Sequence, residues 1–362
     1  MSRKRRFTSR HGRVHSRPGE SPGTLRIDPE AIPPQVRLIG FGPDAFVDRP
    51  ITRPADIRSL KGKWPVTWII VQGLGDVQVL TEIGKAFDLH GLALEDAVSQ
   101  GQRPKAEPYE DHIFIVARTP SADNHAASDQ VSFFLGSNYV ISFQDRPGTL
   151  FDPVLSRLQS ATGRLRKSGA DYLLYSLLDA LIDGYFPILD QIGEEMESIE
   201  SEIISDPGEV SVRRLQAAKA KLREMRRIVR PLRDLLNELY RAESDFVRED
   251  TKVYLRDALD HAVQAIDFVD SLREMSTDLM SVYLTSTSNR MNEVMKALTL
   301  VTSIFIPLSF IASIYGMNFN PNTSALNMPE LNWVYGYPFA LVLMAVTAVA
   351  LLFYFRRKRW LG

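Results

Sequence analysis

Two long uncharged apolar runs near the C-terminus constrain this chain most. The first covers residues 297–317 (ALTLVTSIFIPLSFIASIYGM) and the second covers residues 337–355 (YPFALVLMAVTAVALLFYF). About 20 apolar residues in a helix cross the hydrocarbon core of a bilayer. A buried core helix is the alternative for either run, but two such runs in tandem, separated by a loop with Trp and Tyr, favour transmembrane helices. The sequence therefore predicts a membrane protein with two C-terminal spans.

The distribution of cations predicts the orientation of these spans. The connecting loop 318–336 contains no Lys or Arg and a single charged residue, Glu330. The tail 356–362 begins with four cations, which are Arg356, Arg357, Lys358 and Arg359. Cytoplasmic ends of spans are enriched in Lys and Arg. We therefore expect a multi-pass protein of the cell (inner) membrane with both termini in the cytoplasm and no signal peptide.

Composition excludes several classes of function. The chain has 43 basic and 44 acidic residues, so its net charge of −1 argues against nucleic acid as a partner bound through overall positive charge. It has no cysteine, which excludes disulfides, thiolate metal sites and cysteine nucleophiles. No nucleophile–base pair or metal triad is visible, so we do not expect an enzyme. Residues 1–23 carry seven Lys or Arg and predict a disordered basic arm.

Residues 24–165 alternate strand-like and helix-like segments and predict a small cytoplasmic α/β domain. We expect strands at 66–71 and 112–117, and a hairpin formed by 131–135 and 139–143. Short helices are predicted within 81–97 and at 151–160. The piece Gln72-Gly73-Leu74-Gly75 lacks the ending of a phosphate-binding loop, and we interpret it as a turn.

Residues 166–293 predict a helical hairpin and a stalk. The segment 171–204 reads as one amphipathic helix that stops at Asp206-Pro207-Gly208, and 210–244 reads as the returning helix. The first arm ends in acidic residues and the second is rich in Arg and Lys. Two interpretations stay open. Either the two arms form ion pairs with each other, or the acidic arm attracts cations toward an opening in the membrane.

The third helix is predicted to run without interruption over 251–317. Alternating steps of three and four residues select a face that is wholly polar outside the span. This polar stripe consists of Asp257, Asp260, Gln264, Asp267, Ser271, Glu274, Asp278, Ser281, Thr285, Ser288 and Asn292. The same register continues into the span as Met295, Thr299, Thr302, Ile306, Ser309, Ser313 and Met317. An apolar stripe beside it, Ala265, Phe268, Leu272, Met275, Leu279 and Val282, is suited to burial.

Such a polar stripe indicates a symmetric helical bundle around a water-filled central axis. Two spans in one chain cannot enclose water, so several copies must surround the axis. The alternative is that the hydroxyls in the span bond to carbonyls one turn back or allow close helix packing.

At the outer end of the first span stands Tyr315-Gly316-Met317-Asn318-Phe319, followed by Met328-Pro329-Glu330-Leu331. With the flanking run SNRMNEVMKALTLVTSIFIPLSFIASIYGMNF, these motifs resemble those of the CorA-type magnesium transporters. The stretch LHGLALEDAVSQGQRPKAEPYEDHIFIVA is also similar to the cytoplasmic domain of that family. The resemblance covers about residues 30–362.

The resemblance implies an α+β membrane protein with a cytoplasmic α/β funnel domain, a long helical stalk and two transmembrane helices, 294–317 and 337–355. It implies a homopentamer in the lipid bilayer. It also implies influx of divalent cations, above all Mg²⁺ and further Co²⁺ or Ni²⁺, with negative feedback from cytoplasmic Mg²⁺.

The resemblance further assigns site residues. The selectivity filter is Gly316, Met317 and Asn318. The narrow inner section of the pore is Asn292, Met295 and Leu298. The register of the polar stripe continues the expected pore lining through Thr299, Thr302, Ile306, Ser309 and Ser313. Asp96 and Asp257 match the regulatory Mg²⁺ site, Glu330 lies in the outer loop, and Arg356 to Arg359 match a basic collar.

Neutral oxygen dipoles from Asn318 suit a hydrated Mg²⁺ ion, which gives up its water reluctantly. Ile306, Ser313 and Ser281 depart from common residues of the family, which leaves the ion preference open. Two other functions also stay open. These are a zinc transporter of the same superfamily, which could be proton-coupled, and a membrane-anchored oligomeric sensor or scaffold.

Overall fold

The computed structural model describes residues 21–119, 128–317, 319–320, 324 and 326–358. They form two compact units. The first comprises the described residues up to 200 together with 212–278, and the second comprises 201–211 and the described residues from 279 onward. Most of the predicted basic arm lies outside the described residues.

A seven-stranded sheet forms the centre of the first unit. Its strands are β1 (Gln35–Phe41), β2 (Phe46–Ile51), β3 (Val66–Gln72), β4 (Lys105–Pro108), β5 (Ile113–Thr119), β6 (Asp129–Leu135) and β7 (Tyr139–Gln144). Their spatial order is β2-β1-β3-β7-β6-β5-β4. Neighbouring strands are antiparallel except β3 and β7, which are parallel. The predicted strands and the hairpin β6–β7 are confirmed.

Three strands, β1, β2 and β4, were not predicted. β2 and β4 lie at the two edges of the sheet and contain Pro50 and Pro108, which interrupt the usual strand pattern. β1 contains Gly40 at a position where the Trp64 ring lies 2.3 Å from the place a Cβ would occupy. The packing of Trp64, which requires this glycine, is not visible in the sequence.

The helices are α1 (Val77–Phe87), α2 (Gly91–Val98), α3 (Asp152–Gln159), α4 (Ala170–Asp183), α5 (Phe186–Ser205), α6 (Glu209–Arg241), α7 (Glu249–Tyr315) and α8 (Gly336–Arg357). Short 3-10 helices cover Pro54–Leu60, Leu165–Lys167 and Pro329–Asn332. α1 and α2 bury their apolar sides on one face of the sheet. The other face carries Trp68 and Phe133 against Phe151, at the start of α3, and it also meets α4. The sheet is thus covered on both faces, as its buried apolar strands require.

The prediction of a single helix over 171–204 is wrong. The chain breaks at Gly184 and Tyr185, between α4 and α5. Pro187, in the first turn of α5, has no N–H to donate and so cannot continue α4. Tyr185 is completely buried, and its hydroxyl donates a hydrogen bond to the carbonyl of Arg118 in β5. The break therefore fixes the helical part to the sheet.

α5 and α6 form the predicted helical hairpin. Lys221 Nζ lies 3.1 Å from Glu195 Oε2 across the hairpin, in agreement with the interpretation that the arms pair. Farther along α6, Arg226 and Arg230 lie near Asp270 of α7 instead, at 3.0 and 3.5 Å. The charged side chains of α6 therefore form ion pairs with two neighbouring helices, α5 and α7.

A buried carboxylate joins the starts of α4 and α7. Asp171 accepts hydrogen bonds from Arg248 Nη2 at 2.9 Å, from Arg248 N at 3.1 Å and from Thr251 Oγ1 at 2.6 Å. Burial by itself would raise the pKa of Asp171, but these hydrogen bonds outweigh it and hold the pKa below its usual value. The ionised carboxylate is thus part of the folded structure.

In the second unit, α7 stays helical through Pro307 and ends at Tyr315. The predicted third helix is therefore confirmed, with its end two residues earlier than expected. Asp206, between α5 and α6, forms an ion pair with Arg290 of α7, and Ser286 Oγ donates to the carbonyl of Ile203 at 3.4 Å. These contacts hold the turn of the hairpin against α7 within this unit.

Candidate functional site

The polar stripe of α7 faces solvent over its whole length in the single chain. All its members, from Asp257 to Asn292, are exposed, whereas Ala265, Leu272 and Leu279 of the apolar stripe are buried. Val282, at the end of the apolar stripe, is 40% exposed. α7 thus packs through its apolar face in the first unit and leaves its polar face open.

The apolar part of α7 continues this open face with large side chains. Met295, Leu298 and Ile306 are 51%, 55% and 67% exposed, and Ser309 and Ser313 are also exposed. An exposed apolar surface on a helix of this length needs lipid or another chain to cover it. The predicted pore residues are therefore free for contacts outside the chain.

Two threonines of the predicted pore bond back to their own helix. Thr299 Oγ1 donates to the carbonyl of Met295 at 2.7 Å, and Thr302 Oγ1 lies 2.9 Å from the carbonyl of Leu298. This is the alternative role that the sequence left open. A hydroxyl that donates its proton keeps two lone pairs, so it still can accept a hydrogen bond from the water shell of an ion.

The predicted filter begins where α7 ends. Gly316 N donates to the carbonyl of Ala312 at 3.0 Å, and Met317 N donates to the carbonyl of Ile314 at 3.1 Å. Gly316 and Met317 are exposed. Asn318, the third predicted filter residue, lies outside the described residues.

The loop before α8 is held by a close backbone approach. Glu330 lies in the 3-10 helix Pro329–Asn332, and a Cβ on Gly336 would lie 2.0 Å from the Glu330 carbonyl oxygen. Gly336 is therefore required for the turn that places Glu330 just before α8. At the other end of α8, Arg356, Arg357 and Lys358 are exposed, and Arg359 lies outside the described residues.

Asp96 lies on α2 and already has a cation beside it. Lys105 Nζ is 2.6 Å from Asp96 Oδ2 and 2.7 Å from Glu107 Oε1. Gln102 Nε2 donates to Asp96 Oδ1 at 2.9 Å. Burial lowers the pKa of Lys105, but the hydrogen bonds from Lys105 to Asp96 and Glu107 outweigh burial and raise it, so the ammonium stays protonated. Lys105 thus holds the place next to Asp96 that a metal ion would take.

Asp257 lies in the polar stripe and is exposed. It forms no hydrogen bond or ion pair with any residue that the structure describes. Neither Arg256 nor a cation of the α/β domain makes such a contact with it among these residues. No hydrogen bond or ion pair joins it to Asp96 within the described part of the chain.

A cluster that is not apparent from the sequence lies about one helical turn from Asp257. Asp179 and Asp183 of α4 face His261 of α7, and their ligand atoms lie within 4.8 Å of one another. Burial raises the pKa of Asp179, the nearby carboxylates of Asp183 and Asp257 raise it further, and His261 opposes them. A divalent cation here would relieve this repulsion. The spacing of four residues between Asp179 and Asp183 on α4 is the signal that could have found these two carboxylates, whereas His261 comes from a distant segment.

Length and composition alone make three helical segments able to cross a membrane among the described residues. They are Ala170–Ser205, α7 and α8, whose most apolar 18-residue stretches have mean hydropathies of 1.3, 2.1 and 2.3. The most apolar part of the first is 61% buried within the fold, against 0% and 11% for the other two. The first is apolar because it packs in the protein core, whereas α7 and α8 leave their apolar surface open.

Comparisons with known proteins give consistent results. The model of the family described as CorA-like Mg²⁺ transporter protein matches residues 65–357. The cobalt/magnesium transport protein CorA of Thermotoga maritima is 39% identical over 358 residues, covering 96% of this chain and 99% of the relative.

Solved structures show the same fold. The complete structure of the CorA magnesium transporter from Methanocaldococcus jannaschii matches with a TM-score of 0.75 at 20% identity, over 90% of this chain and 98% of that one. The full-length CmaX protein matches with a TM-score of 0.69 at 19% identity, over 91% and 98% of the two chains.

Proposed function

The chain belongs to the CorA-like Mg²⁺ transporter family, and from this we propose that it carries Mg²⁺ and Co²⁺ across a membrane as a transporter and not as an enzyme. The observation that carries the proposal is the exposed polar face of α7, which continues without a break into an apolar segment suited to a bilayer. A charged ion needs such a hydrophilic path, because the hydrocarbon core does not solvate it.

We infer the membrane part from length, charge and exposure. We propose residues 294–317 and 337–355 as the two spans and 318–336 as the outer loop. The basic end of α8 supports an orientation in the inner membrane with both termini in the cytoplasm. Residues 24–165 form the cytoplasmic α/β domain, and 166–293 form the hairpin and stalk.

The assembly we propose is a ring of identical copies, and the family resemblance suggests five. A single copy exposes Thr302, Ser309 and Ser313 on its first span, so lipid would meet these hydroxyl groups unless further copies enclosed them. Rotational symmetry places the same stripe of each copy toward a common axis.

Ion selection and pore closure then occur at different depths along the pore axis. A ring of Asn318 amides with backbone carbonyls from Gly316 holds the hydrated ion by neutral dipoles. Deeper in, Met295 and Leu298 project large apolar side chains, which close a narrow path by excluding water.

Regulation uses Asp257 of one copy and Asp96 of its neighbour. Two facing carboxylates repel, and a divalent cation between them reverses the repulsion. Cytoplasmic Mg²⁺ therefore favours the symmetric closed ring, and its loss releases the copies. The cluster of Asp179, Asp183 and His261 adds negative charge one helical turn from Asp257.

Replacing Lys105 by Met should make feedback by Mg²⁺ more sensitive. The ammonium of Lys105 competes with a metal ion for Asp96, so its removal should lower the internal Mg²⁺ concentration that halves uptake by about fivefold, the equivalent of one partly exposed ion pair. The measurement is Mg²⁺ uptake into liposomes with graded internal Mg²⁺. Lys61→Met removes a lysine that pairs with Asp88 at 3.5 Å and should change nothing. An unchanged response in Lys105→Met would contradict the role of Asp96.

The function itself is tested with purified protein in liposomes. Uptake of Mg²⁺, Co²⁺ and Zn²⁺ is measured with and without a pH gradient, and Asn318→Ala serves as the filter variant. We expect uptake of Mg²⁺ and Co²⁺ without a pH gradient and a loss of at least about tenfold in Asn318→Ala, since the first site for the hydrated ion is lost. Uptake of Zn²⁺ alone, driven by a pH gradient, would show a zinc transporter instead. No uptake by a stable oligomer would favour a sensor or scaffold.

A further inference from the structure

The first unit contains a cavity of about 880 Å³ that the proposed transport does not use. Of the sixteen described residues that line it, seven are arginines and two, Asp129 and Glu224, are acidic. The arginines come from the loop after α2, from β5, from α6 and from α7. Four of the seven share one face of α6, and the fold brings Arg103, Arg118 and Arg273 to them from three other elements.

The carboxylates near this cavity are too few for its arginines. Asp270 of α7 lies 3.0 Å from Arg226, 3.5 Å from Arg230 and 3.0 Å from Arg273, so one carboxylate faces three guanidinium groups. Arg223 and Arg227 form no ion pair with any residue that the structure describes. The cavity therefore keeps a positive excess after its internal pairs are formed.

Arg118 extends from the sheet into this positive surrounding. Its Nε donates to Ser128 Oγ at 2.7 Å, its Nη2 donates to the Ser128 carbonyl at 2.6 Å, and its Nη1 donates to the Gln102 carbonyl at 3.3 Å. All three acceptors are neutral. Burial lowers the pKa of Arg118; Glu224 opposes this effect, and Arg227 adds to it. A guanidinium remains charged even so, and an anion would stabilise it.

Two buried donors near the same place lack an aligned acceptor. Gln100 Nε2 has no hydrogen-bond partner among the described residues. Arg226 Nε lies at ion-pair distance from Asp270, but the geometry makes no hydrogen bond. Buried donors without acceptors cost free energy, and a ligand that supplies acceptors recovers it.

The size and lining indicate the class of ligand. The volume lies in the range of small-molecule sites, and it is several times that of a single phosphate. Guanidinium groups bind phosphate oxygens in pairs, and a chain of phosphates can reach several of them at once. Pro104, Ile228 and Pro231 line the cavity with apolar groups, and Gln100 adds an amide whose Nε2 has no partner among the described residues, which together suit a base. We propose that this cavity binds the polyphosphate chain of a nucleoside triphosphate.

Binding is tested by calorimetry on the full chain in detergent, dialysed free of Mg²⁺, at about 150 mM salt so that unspecific attraction is screened. The ligands are ATP, ADP, AMP and inorganic tripolyphosphate. We expect saturable binding that weakens from ATP to ADP to AMP. Arg227→Glu should weaken ATP binding at least tenfold. Arg241→Glu changes an exposed arginine of the same helix that does not line the cavity, and it should leave binding within about twofold.

The other possible outcomes of these titrations also test the proposal. If tripolyphosphate binds as tightly as ATP, the site recognises the phosphates of either source without the base; if ATP binds tighter, Gln100→Ala should remove the difference. Absence of saturable binding, equal binding of AMP and ATP, or equal loss in Arg227→Glu and Arg241→Glu would overturn the proposal. So would binding of single-stranded RNA in the absence of ATP binding. Melting curves that match the wild type show that the variants are folded.

Discussion

Liposomes that contain the Asp257→Lys variant should take up Mg²⁺ at no more than about a tenth of the wild-type rate, even when internal Mg²⁺ is removed. Asp257 is exposed and unpaired among the described residues, so the substitution breaks no contact within the chain. An ammonium at this place supplies the positive charge that Mg²⁺ supplies in the regulated protein. The closed ring is then favoured at every Mg²⁺ concentration, and about 1.4 kcal/mol of bias gives a tenfold loss of the open form.

A matched control separates this effect from a change in net charge. Asp267→Lys makes the same change of charge in the same exposed stripe and should leave regulation nearly intact. Asp257→Asn removes the repulsion without adding a cation and should weaken feedback. If Mg²⁺ still fully regulated Asp257→Lys, Asp257 would not belong to the regulatory site. The proposed transport function would be unaffected by that result.

The second large effect concerns stability. Asp171→Asn should lower the free energy of unfolding by about 2–3 kcal/mol, because it removes the charge that binds Arg248 and Thr251 at the junction of α4 and α7. The cost stays below that of a fully buried pair because the Arg248 side chain is 51% exposed. Chemical denaturation of the full chain in detergent measures it.

The pH dependence follows from the lowered pKa of Asp171. A carboxyl group with a lowered pKa in the folded state contributes stability above its unfolded pKa, near 3.8, and loses it as pH falls through the folded value. The difference between wild type and Asp171→Asn should therefore be full at pH 7 and shrink below pH 4. Asp278→Asn changes an exposed carboxylate on α7 and should show neither effect. A difference that stays constant with pH would show that hydrogen-bond geometry, and not charge, stabilises the junction.

The long helical elements were predictable because their patterns are local. The polar and apolar stripes of α7 repeat along a single helix, so their spacing alone indicated which face would be buried. The hairpin β6–β7 was predictable for the same reason, since its two strands flank a short loop. By contrast, edge strand β4 has four residues and gains its conformation from pairing with β5, which no local pattern announces.

The candidate site likewise has a part that the sequence predicts and a part that it does not. The motif around Gly316 and the acidic stripe are recognisable in the sequence, because their residues follow one another along a single stretch of chain. The placement of Lys105 against Asp96, the meeting of Asp179 with His261, and the arginine cavity join residues from different elements. Pro187 stands in the sequence, but the helix break at Gly184 also depends on the hydrogen bond from the Tyr185 hydroxyl to β5, which only the fold reveals.

The sequence by itself determined which segments are apolar enough for a bilayer, which helix carries a polar face and which residues carry charge, since these properties depend on residue type and helical period. The tertiary structure alone decided which charges are already neutralised. A carboxylate acts on an ion according to the groups within a few ångströms of it, and folding brings those groups from distant parts of the chain.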